Sequence, residues 1–256
     1  MKVNYHTHTY RCKHADGIDE DFVKVAISRG LEKLGFSDHA PFDFGGHVST
    51  CRMDLKEIDG YFESILDLKH RYRDYIEIFI GFEIEYSRLF DSTVESYQKY
   101  QLDYMILGQH YVGCECDKDM VNMFHPTRDP SVLSAYVDEC LKGVDSGKIT
   151  YVAHPDCINF VGNYDDYDRE MGRFVDEMKS RDIPLEINLL GIRNDRNYPN
   201  ERFLDIVGKK GAKVIIGADA HLPIDVMSAK DLDVAFRLVD RYKLELLEDI
   251  KLKKPF

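Results

Sequence analysis

Three histidines lie within nine positions near the start of the chain, in the stretch NYHTHTYRCKHADG at residues 4–17. They are His6, His8 and His14. His6 and His8 form an HxH pair that leaves a predicted strand at residues 2–5, and alternate residues of an extended chain point to the same side. Imidazole nitrogens bind zinc, manganese and iron. The spacing of the pair therefore indicates a metal site at the end of this strand.

Residue types that bind metals also follow six later predicted strands. The seven strands are predicted at residues 2–5, 32–38, 76–84, 103–108, 148–153, 183–190 and 212–219. At or just after the carboxyl ends of the later strands lie His39, Glu83, His110, His154, Glu186 with Asn188, and Asp219 with His221. Because barrel enzymes hold their sites at this face, we expect these side chains to converge.

Amphipathic helices are predicted between and after these strands. They cover residues 19–30, 54–73, 92–100, 129–147, 166–181, 200–211 and 228–242. The alternation of strands and helices predicts a parallel α/β sheet or barrel. Periodicity does not decide whether the sheet closes, but a length of 256 residues suits one barrel domain spanning residues 1–256.

Composition and charge exclude several classes of function. The net charge of −12 opposes nucleic-acid binding, which needs a basic face. No apolar run approaches the length of roughly 20 residues that spans a membrane. The absence of a secretion-signal pattern and of paired CxxC motifs predicts a cytoplasmic protein with reduced thiols. Oligomeric state is not predicted.

Two of the six cysteines, Cys114 and Cys116, lie in the motif GCEC. Thiolates at this spacing could bind a soft metal ion, but no second cysteine pair completes a tetrahedral site. Free thiols in a half-buried strand or turn are the favoured interpretation. Three histidines stand outside the strand-end pattern: His70 is predicted on a helix surface, and no role is predicted for His47 and His125.

Six short motifs, taken in order, resemble those of the polymerase and histidinol phosphatase (PHP) family. They are HTHT at 6–9, SDHA at 37–40, GFEIEY at 81–86, GQH at 108–110, AHPD at 153–156 and GADAH at 217–221. The segment at 14–42, HADGIDEDFVKVAISRGLEKLGFSDHAPF, resembles the histidinol-phosphatase branch in particular. The resemblance covers nearly the whole chain and implies a single-domain, distorted (β/α)7 barrel of the PHP type.

The resemblance also implies a site for three divalent metal ions, of zinc, manganese or iron. The first ion would be held by His6, His8, Glu83 and Asp219. Glu83 would bridge to a second ion held by His110 and His154, and the third would be held by His14, His39 and His221. A hydroxide bridging the metals between the Glu83 and Asp219 sites would then attack phosphorus, since such ions lower the pKa of bound water towards ~7. The general acid is not identified.

Substrate contacts are predicted from the same resemblance. Arg193, just after the sixth strand, resembles the family's substrate arginine, and an Arg fork binds two phosphate oxygens. Related enzymes often place a further basic residue after the fifth-strand motif, but CINFVGN at 157–163 has none. Arg196, Arg88 and Lys13 are the candidate substitutes. Three acidic residues are predicted near the mouth of the site: Glu85, Asp43 and Asp156. They could attract the cationic amine and imidazole of the substrate. Alternatively, they are solvated charges or hydrogen-bond partners of ligand histidines.

The implied activity is hydrolysis of L-histidinol phosphate, a small phosphorylated amino alcohol, to L-histidinol and phosphate in histidine biosynthesis. Another small phosphomonoester or a nucleotide-derived phosphate remains an alternative substrate, because the second basic contact is missing. A different class of protein, a non-catalytic regulatory barrel that binds metal, also remains open, although every implied ligand position is filled. A metal-dependent amidohydrolase is disfavoured, because His110 stands where a bridging Lys or carboxylate is expected.

Overall fold

Strands and helices alternate along the chain in the computed structural model, which describes residues 1–256. The strands are β1 (Val3–Asn4), β2 (Lys33–His39), β3 (Glu77–Ile84), β4 (Tyr104–Leu107), β5 (Tyr111–Val112), β6 (Val121–Asn122), β7 (Leu185–Asn188), β8 (Lys213–Gly217) and β9 (Glu245–Leu246). The helices are α1 (Asp19–Ser28), α2 (Ile58–Arg71), α3 (Phe90–Ser96), α4 (Pro130–Asp145), α5 (Tyr164–Ser180), α6 (Leu189–Arg193), α7 (Glu201–Lys210) and α8 (Ala229–Tyr242). No helix is both long and apolar enough to cross a membrane.

The main strands form a curled parallel sheet. β1 to β4 are neighbours in sequence order, and β7, β8 and β9 form a second parallel group. Val152 connects the groups through parallel bridges to Leu107 on one side and Leu185 on the other. A further bridge between Thr7 and Ala220 brings the first and last parts of the sheet together at the carboxyl end. The predicted α/β class is therefore confirmed.

Four details differ from the sequence prediction. The predicted fifth strand at 148–153 has bridges only at Val152, although the backbone of residues 150–153 is hydrogen-bonded on both sides, so the count of seven βα units stays a prediction. The predicted sixth strand ends at Asn188 because its side chain accepts the N–H of Gly191 at 2.9 Å and starts α6. β9 and the antiparallel pair β5–β6 were not predicted.

Caps and apolar faces explain where the helices lie. Asp54 and Glu57 form the predicted capping box before α2, and Asp129 caps α4. Along α2 the buried residues repeat at helical spacing and face the sheet: Ile58, Tyr61, Phe62, Ile65 and Leu68. A cluster of 56 buried residues fills the space between the helices and the outer face of the sheet.

A smaller apolar cluster fills the inside of the curled sheet, below the carboxyl ends. Its buried members are Val3, Tyr5, Tyr104, Ile106, Tyr151, Ala153 and Ile215. The Tyr104 hydroxyl donates to the backbone oxygens of Tyr5 and Phe36, at 2.7 and 3.1 Å. Its ring lies so close to β2 and β3 that a Cβ at Gly81 would be 2.5 Å from it, and one at Gly35 would be 2.3 Å from its hydroxyl.

Replacing Gly81 with alanine is expected to destabilise the fold by roughly 1–3 kcal/mol, because the new methyl group overpacks the Tyr104 ring. Gly60→Ala is the matched control. Gly60 lies on the exposed face of α2 with open space around it, so the change is expected to stabilise the fold by ~1 kcal/mol. Urea unfolding of both variants measures the free energies. Equal stability of the two variants would contradict the close packing described for Tyr104.

Candidate metal centre

The nine residues predicted as metal ligands meet at the carboxyl end of the curled sheet. Their nitrogen and oxygen atoms form overlapping groups within 4.8 Å of one another, including His6–His8–Asp219, His6–Glu83–His154 and His14–His39–His221. A cavity of about 360 Å³ opens above them. Because the residues come from the ends of separate strands, the fold and not the local sequence assembles the cluster.

Glu83, at the end of β3, is the centre of this cluster and is 1% exposed. Its carboxylate faces imidazole nitrogens on several sides. The oxygen–nitrogen distances are 2.8 Å to His154, 2.9 Å to His39, 3.5 Å to His110 and to His8, and 3.6 Å to His6. One carboxylate therefore faces five histidines, which come from four different segments of the chain.

Asp219 forms the second acidic position, next to the HxH pair. Its Oδ1 lies 3.2 Å from His8 Nε2 and 3.6 Å from His6 Nε2, and these two nitrogens are 3.2 Å apart. The histidine pair is placed by the backbone, because His8 N–H donates to Ala220 oxygen at 2.9 Å. On the solvent side, His14 Nε2 and His221 Nε2 are 2.9 Å apart.

Two buried glutamates orient His6 and His110 by contacting the ring nitrogen that faces away from the cluster. Glu186 Oε1 lies 2.8 Å from His6 Nδ1, and its other oxygen accepts the backbone N–H of His154 at 2.9 Å. Glu85 Oε1 lies 2.6 Å from His110 Nδ1. A carboxylate on Nδ1 fixes the ring so that Nε2 faces the cluster, as in many metal sites. The sequence placed Glu186 at a strand end without this role.

The buried Arg52 holds Glu85 in turn and was missed by sequence reasoning. Its guanidinium is 1% exposed and is paired with Glu85, while its Nε donates to Glu115 at 2.7 Å. Arg52 lies in the loop before α2 and Glu115 in the loop between β5 and β6. One cation therefore joins two loops at the cavity to the carboxylate that orients His110. No periodicity or motif signals such a loop residue.

Two glycines leave the room that the central carboxylates occupy. A Cβ at Gly108 would lie 1.9 Å from Glu83 Oε1, and one at Gly217 would lie 1.8 Å from Glu186 Oε1. Any side chain at either position would displace a carboxylate from the cluster. The glycines of GQH and GADAH are therefore part of the site geometry.

Charge and hydrogen bonding in the cluster match a site for cations. Both oxygens of Glu83 and Oδ1 of Asp219 are buried and lack a hydrogen-bond partner. Burial opposes their ionisation, but the surrounding histidines hold the pKa of both carboxyl groups well below the usual range. Buried anionic oxygens without donors are costly unless cations approach them. The donor set of imidazoles and carboxylates is one that zinc, manganese and iron accept.

The predicted substrate arginine, Arg193, does not line the cavity. Its guanidinium is paired with Asp231 at 2.9 Å and Asp225 at 3.2 Å, so it attaches α6 to α8. Arg196 lines the cavity instead. It stacks 5.4 Å from the Phe124 ring and donates to the Tyr198 hydroxyl at 2.9 Å. The cis Tyr198–Pro199 bond follows directly.

None of the three acidic residues predicted near the mouth lines the cavity. Glu85 is paired with Arg52 and His110, and Asp43 is exposed outside the cavity. Asp156 is buried and accepts the backbone N–H of Asn200, which starts α7. The three remaining histidines are exposed and outside the cluster: His47, His70 and His125.

Comparison with known proteins agrees with this arrangement. The chain is an α/β protein with a curled parallel sheet that gathers histidines and carboxylates at its carboxyl end. The PHP domain family matches residues 4–189, which is most of the chain, and the chain belongs to that family.

Two curated relatives are named histidinol-phosphatases. The probable histidinol-phosphatase of Deinococcus radiodurans is 24% identical over 243 residues, covering 93% of this chain and 90% of that protein. The histidinol-phosphatase of Lactococcus lactis is 24% identical over 235 residues, covering 86% and 84%. A crystal structure of L. lactis histidinol phosphate phosphatase with zinc, L-histidinol and phosphate has a TM-score of 0.73, at 18% identity, covering 98% of this chain and 97% of that one. That structure has the same fold.

Replacing Arg52 with methionine is expected to cost roughly 3–5 kcal/mol of stability, because Glu85 and Glu115 lose their buried counter-charge. Lys13→Met is the control: it breaks the half-exposed pair with Asp54 and is expected to change stability little. Urea unfolding, with a chelator present in all samples, measures both. A small effect of Arg52→Met on stability would show that Arg52 does not neutralise these two glutamates.

Proposed function

We propose that this chain is a metal-dependent phosphomonoesterase that hydrolyses L-histidinol phosphate to L-histidinol and phosphate. The observation that carries the proposal is the buried Glu83 carboxylate at the floor of a small cavity, with unpartnered oxygens and five histidines from four segments around it. The match to the two relatives named as histidinol-phosphatases covers 90% and 84% of their lengths. Their match supports the same reaction class for this chain.

We assign the metal ligands to three groups, of which the first two share Glu83. His6, His8, Glu83 and Asp219 hold one divalent ion, and Glu83 with His110 and His154 holds a second. His14, His39 and His221 hold a third. The groupings of donor atoms in the structure support the first and third sets directly, and the 2.8 and 3.5 Å approaches of His154 and His110 to Glu83 support the second. Zinc, manganese or iron suits these donors.

Divalent ions bound at such a site lower the pKa of water and hold phosphoryl oxygens during displacement at phosphorus. The chain's own groups prepare the site for this chemistry. Glu186 and Glu85 keep Nε2 of His6 and His110 directed inwards, and the apolar cluster beneath excludes bulk water from the floor. Asn188 donates to Glu186 at 2.8 Å and to Asp219 at 3.1 Å, and so fixes both carboxylates.

The wall of the cavity supports a small phosphorylated substrate with a ring. Arg196 offers a guanidinium fork for the phosphate. Tyr111, Phe124 and Tyr198 supply aromatic surface against which an imidazole can stack. A volume of about 360 Å³ suits a metabolite of this size rather than a polymer. The L. lactis structure, with zinc, L-histidinol and phosphate bound, supports the choice of substrate.

One observation favours a second candidate, a phosphatase for a different small monoester. Residues 157–163 contain no basic side chain, and of the three suggested substitutes only Arg196 lines the cavity. Lys13 is paired with Asp54 and Arg88 with Asp117. A single arginine leaves recognition of the phosphate largely to the metal ions, which would accept other phosphomonoesters.

Purified protein loaded with zinc or manganese is expected to release phosphate from L-histidinol phosphate in preference to a panel of small phosphomonoesters. Chelation is expected to abolish release, and His8→Ala to lower it by about a hundredfold or more, because the HxH pair loses a ligand. Phosphate release is the measurement. Equal, slow release from the whole panel would favour the second candidate, and no release from any ester would contradict both.

The ion count is expected to be three per chain in the wild-type protein and two in His14→Ala. His14 reaches the cluster only beside His39 and His221, so its loss empties one set. His70→Ala is the control, since His70 is exposed on α2 and is expected to leave the count at three. Elemental analysis after dialysis measures the ions. Identical counts in the two variants would contradict the third set.

Arg196→Met is expected to raise KM for the phosphomonoester by about tenfold or more, through loss of a charged hydrogen bond to phosphate. Arg193→Met is the control: it is expected to lower stability by detaching α6 from α8 while KM changes little. Steady-state kinetics and thermal unfolding separate the two. A rise in KM confined to Arg193→Met would return the substrate contact to Arg193.

A further inference from the structure

The GCEC motif is not used by the metal centre, yet the structure brings its two sulfurs together. Cys114 Sγ and Cys116 Sγ are 3.0 Å apart. The backbone explains this approach, because the N–H of Asp117 donates to the oxygen of Cys114 at 2.8 Å and closes a turn around Glu115. In an extended strand the two residues would point to the same side, but their Cα atoms would be roughly 6.6 Å apart, so the turn brings the pair closer together.

We propose that Cys114 and Cys116 are a redox-active dithiol that closes to an intramolecular disulfide when it meets a small-molecule disulfide. A disulfide needs the sulfurs at about 2.05 Å, which is a movement of only about 1 Å from their present separation. The other four cysteines have no sulfur neighbour of this kind. The site is therefore specific to this turn.

The two thiols differ in access, which sets the order of the exchange. Cys116 is partly exposed, and the Nη2 of Arg88 lies 3.3 Å from its sulfur, where it favours the thiolate. Cys114 is buried beneath it, at 2% exposure. Burial and the neighbouring Cys114 raise the pKa of Cys116 to about 11, so exchange is slow at neutral pH and proceeds faster in mild alkali.

The exchange balances with the small disulfide as the oxidant. The Cys116 thiolate attacks one sulfur of the small disulfide, which breaks its S–S bond and releases one small thiolate. The Cys114 thiolate then attacks the Cys116 sulfur, forms the Cys114–Cys116 bond and releases the second small thiolate. Two protein thiols lose two protons and two electrons, and one small disulfide becomes two thiols.

The turn is connected to the metal centre by its middle residue. Glu115 accepts from Arg52, which holds Glu85 on His110. Because closure moves the sulfurs by only about 1 Å, Glu115 keeps its place against Arg52 in the oxidised form. The disulfide therefore braces this loop at the cavity in the conformation that it already has.

The experiment incubates the intact protein with oxidised and reduced glutathione in mild alkali, then quenches with acid, alkylates the denatured protein and analyses its peptides by mass spectrometry. We expect the wild-type peptide to lose two hydrogens, and Cys114→Ser to accumulate glutathione on Cys116 instead. Cys51→Ser is the matched control, since Cys51 is near Glu115 but outside the pair, and it is expected to behave as the wild type.

A second measurement, which needs no variant, separates the effect of the folded turn from the effect of the short sequence distance between the two cysteines. The equilibrium constant for disulfide formation is measured in the native protein and in urea, with the same glutathione buffers. We expect the native value to be larger by about tenfold or more, because the turn preorganises the sulfurs. An equal or smaller native value, or glutathione retained on wild-type Cys116, would overturn the proposal. Neither readout depends on phosphatase activity.

Discussion

A single buried carboxylate sets the main constraint on this structure. Glu83 carries its charge where water is excluded, so positive charge or strong donors must surround it on all sides. No single strand or helix supplies enough such groups. Five histidines from four segments reach the carboxylate, and the curled sheet is the arrangement that brings their strand ends to one place.

The surroundings of Glu83 are built in layers that each restrict the next. Gly108 leaves the space for the carboxylate, while Glu186 and Glu85 set the ring orientations around it. Arg52 then neutralises Glu85 and connects two loops to it. Such connected polar networks are rigid when fully satisfied. Both oxygens of Glu83 and Oδ1 of Asp219 lack hydrogen-bond partners, which is the feature expected of a preorganised cation site.

Much of this arrangement was predictable from sequence, because it follows from periodicity. HxH after a strand and a ligand-type residue after each later strand indicated convergence, and all nine residues do converge. The fifth predicted strand is short: its backbone N–H groups donate to Met105 and Pro184 on its two sides, but the bridges are confined to Val152. Arg52 and Arg196 lie in loops whose paths no local pattern encodes. Arg193 and Arg196 are three residues apart, and only the tertiary fold decides which one faces the cavity.

The bridge between Thr7 and Ala220 has a consequence for the order of events during synthesis. His6 and His8 leave the ribosome first, but the partner residues Asp219 and His221 emerge more than two hundred residues later. The backbone around these histidines is held by Ser37 on one side and by Ala220 on the other, and the second support is made late. The candidate ligand set is therefore complete only once the segment after β8 has folded against the segment after β1.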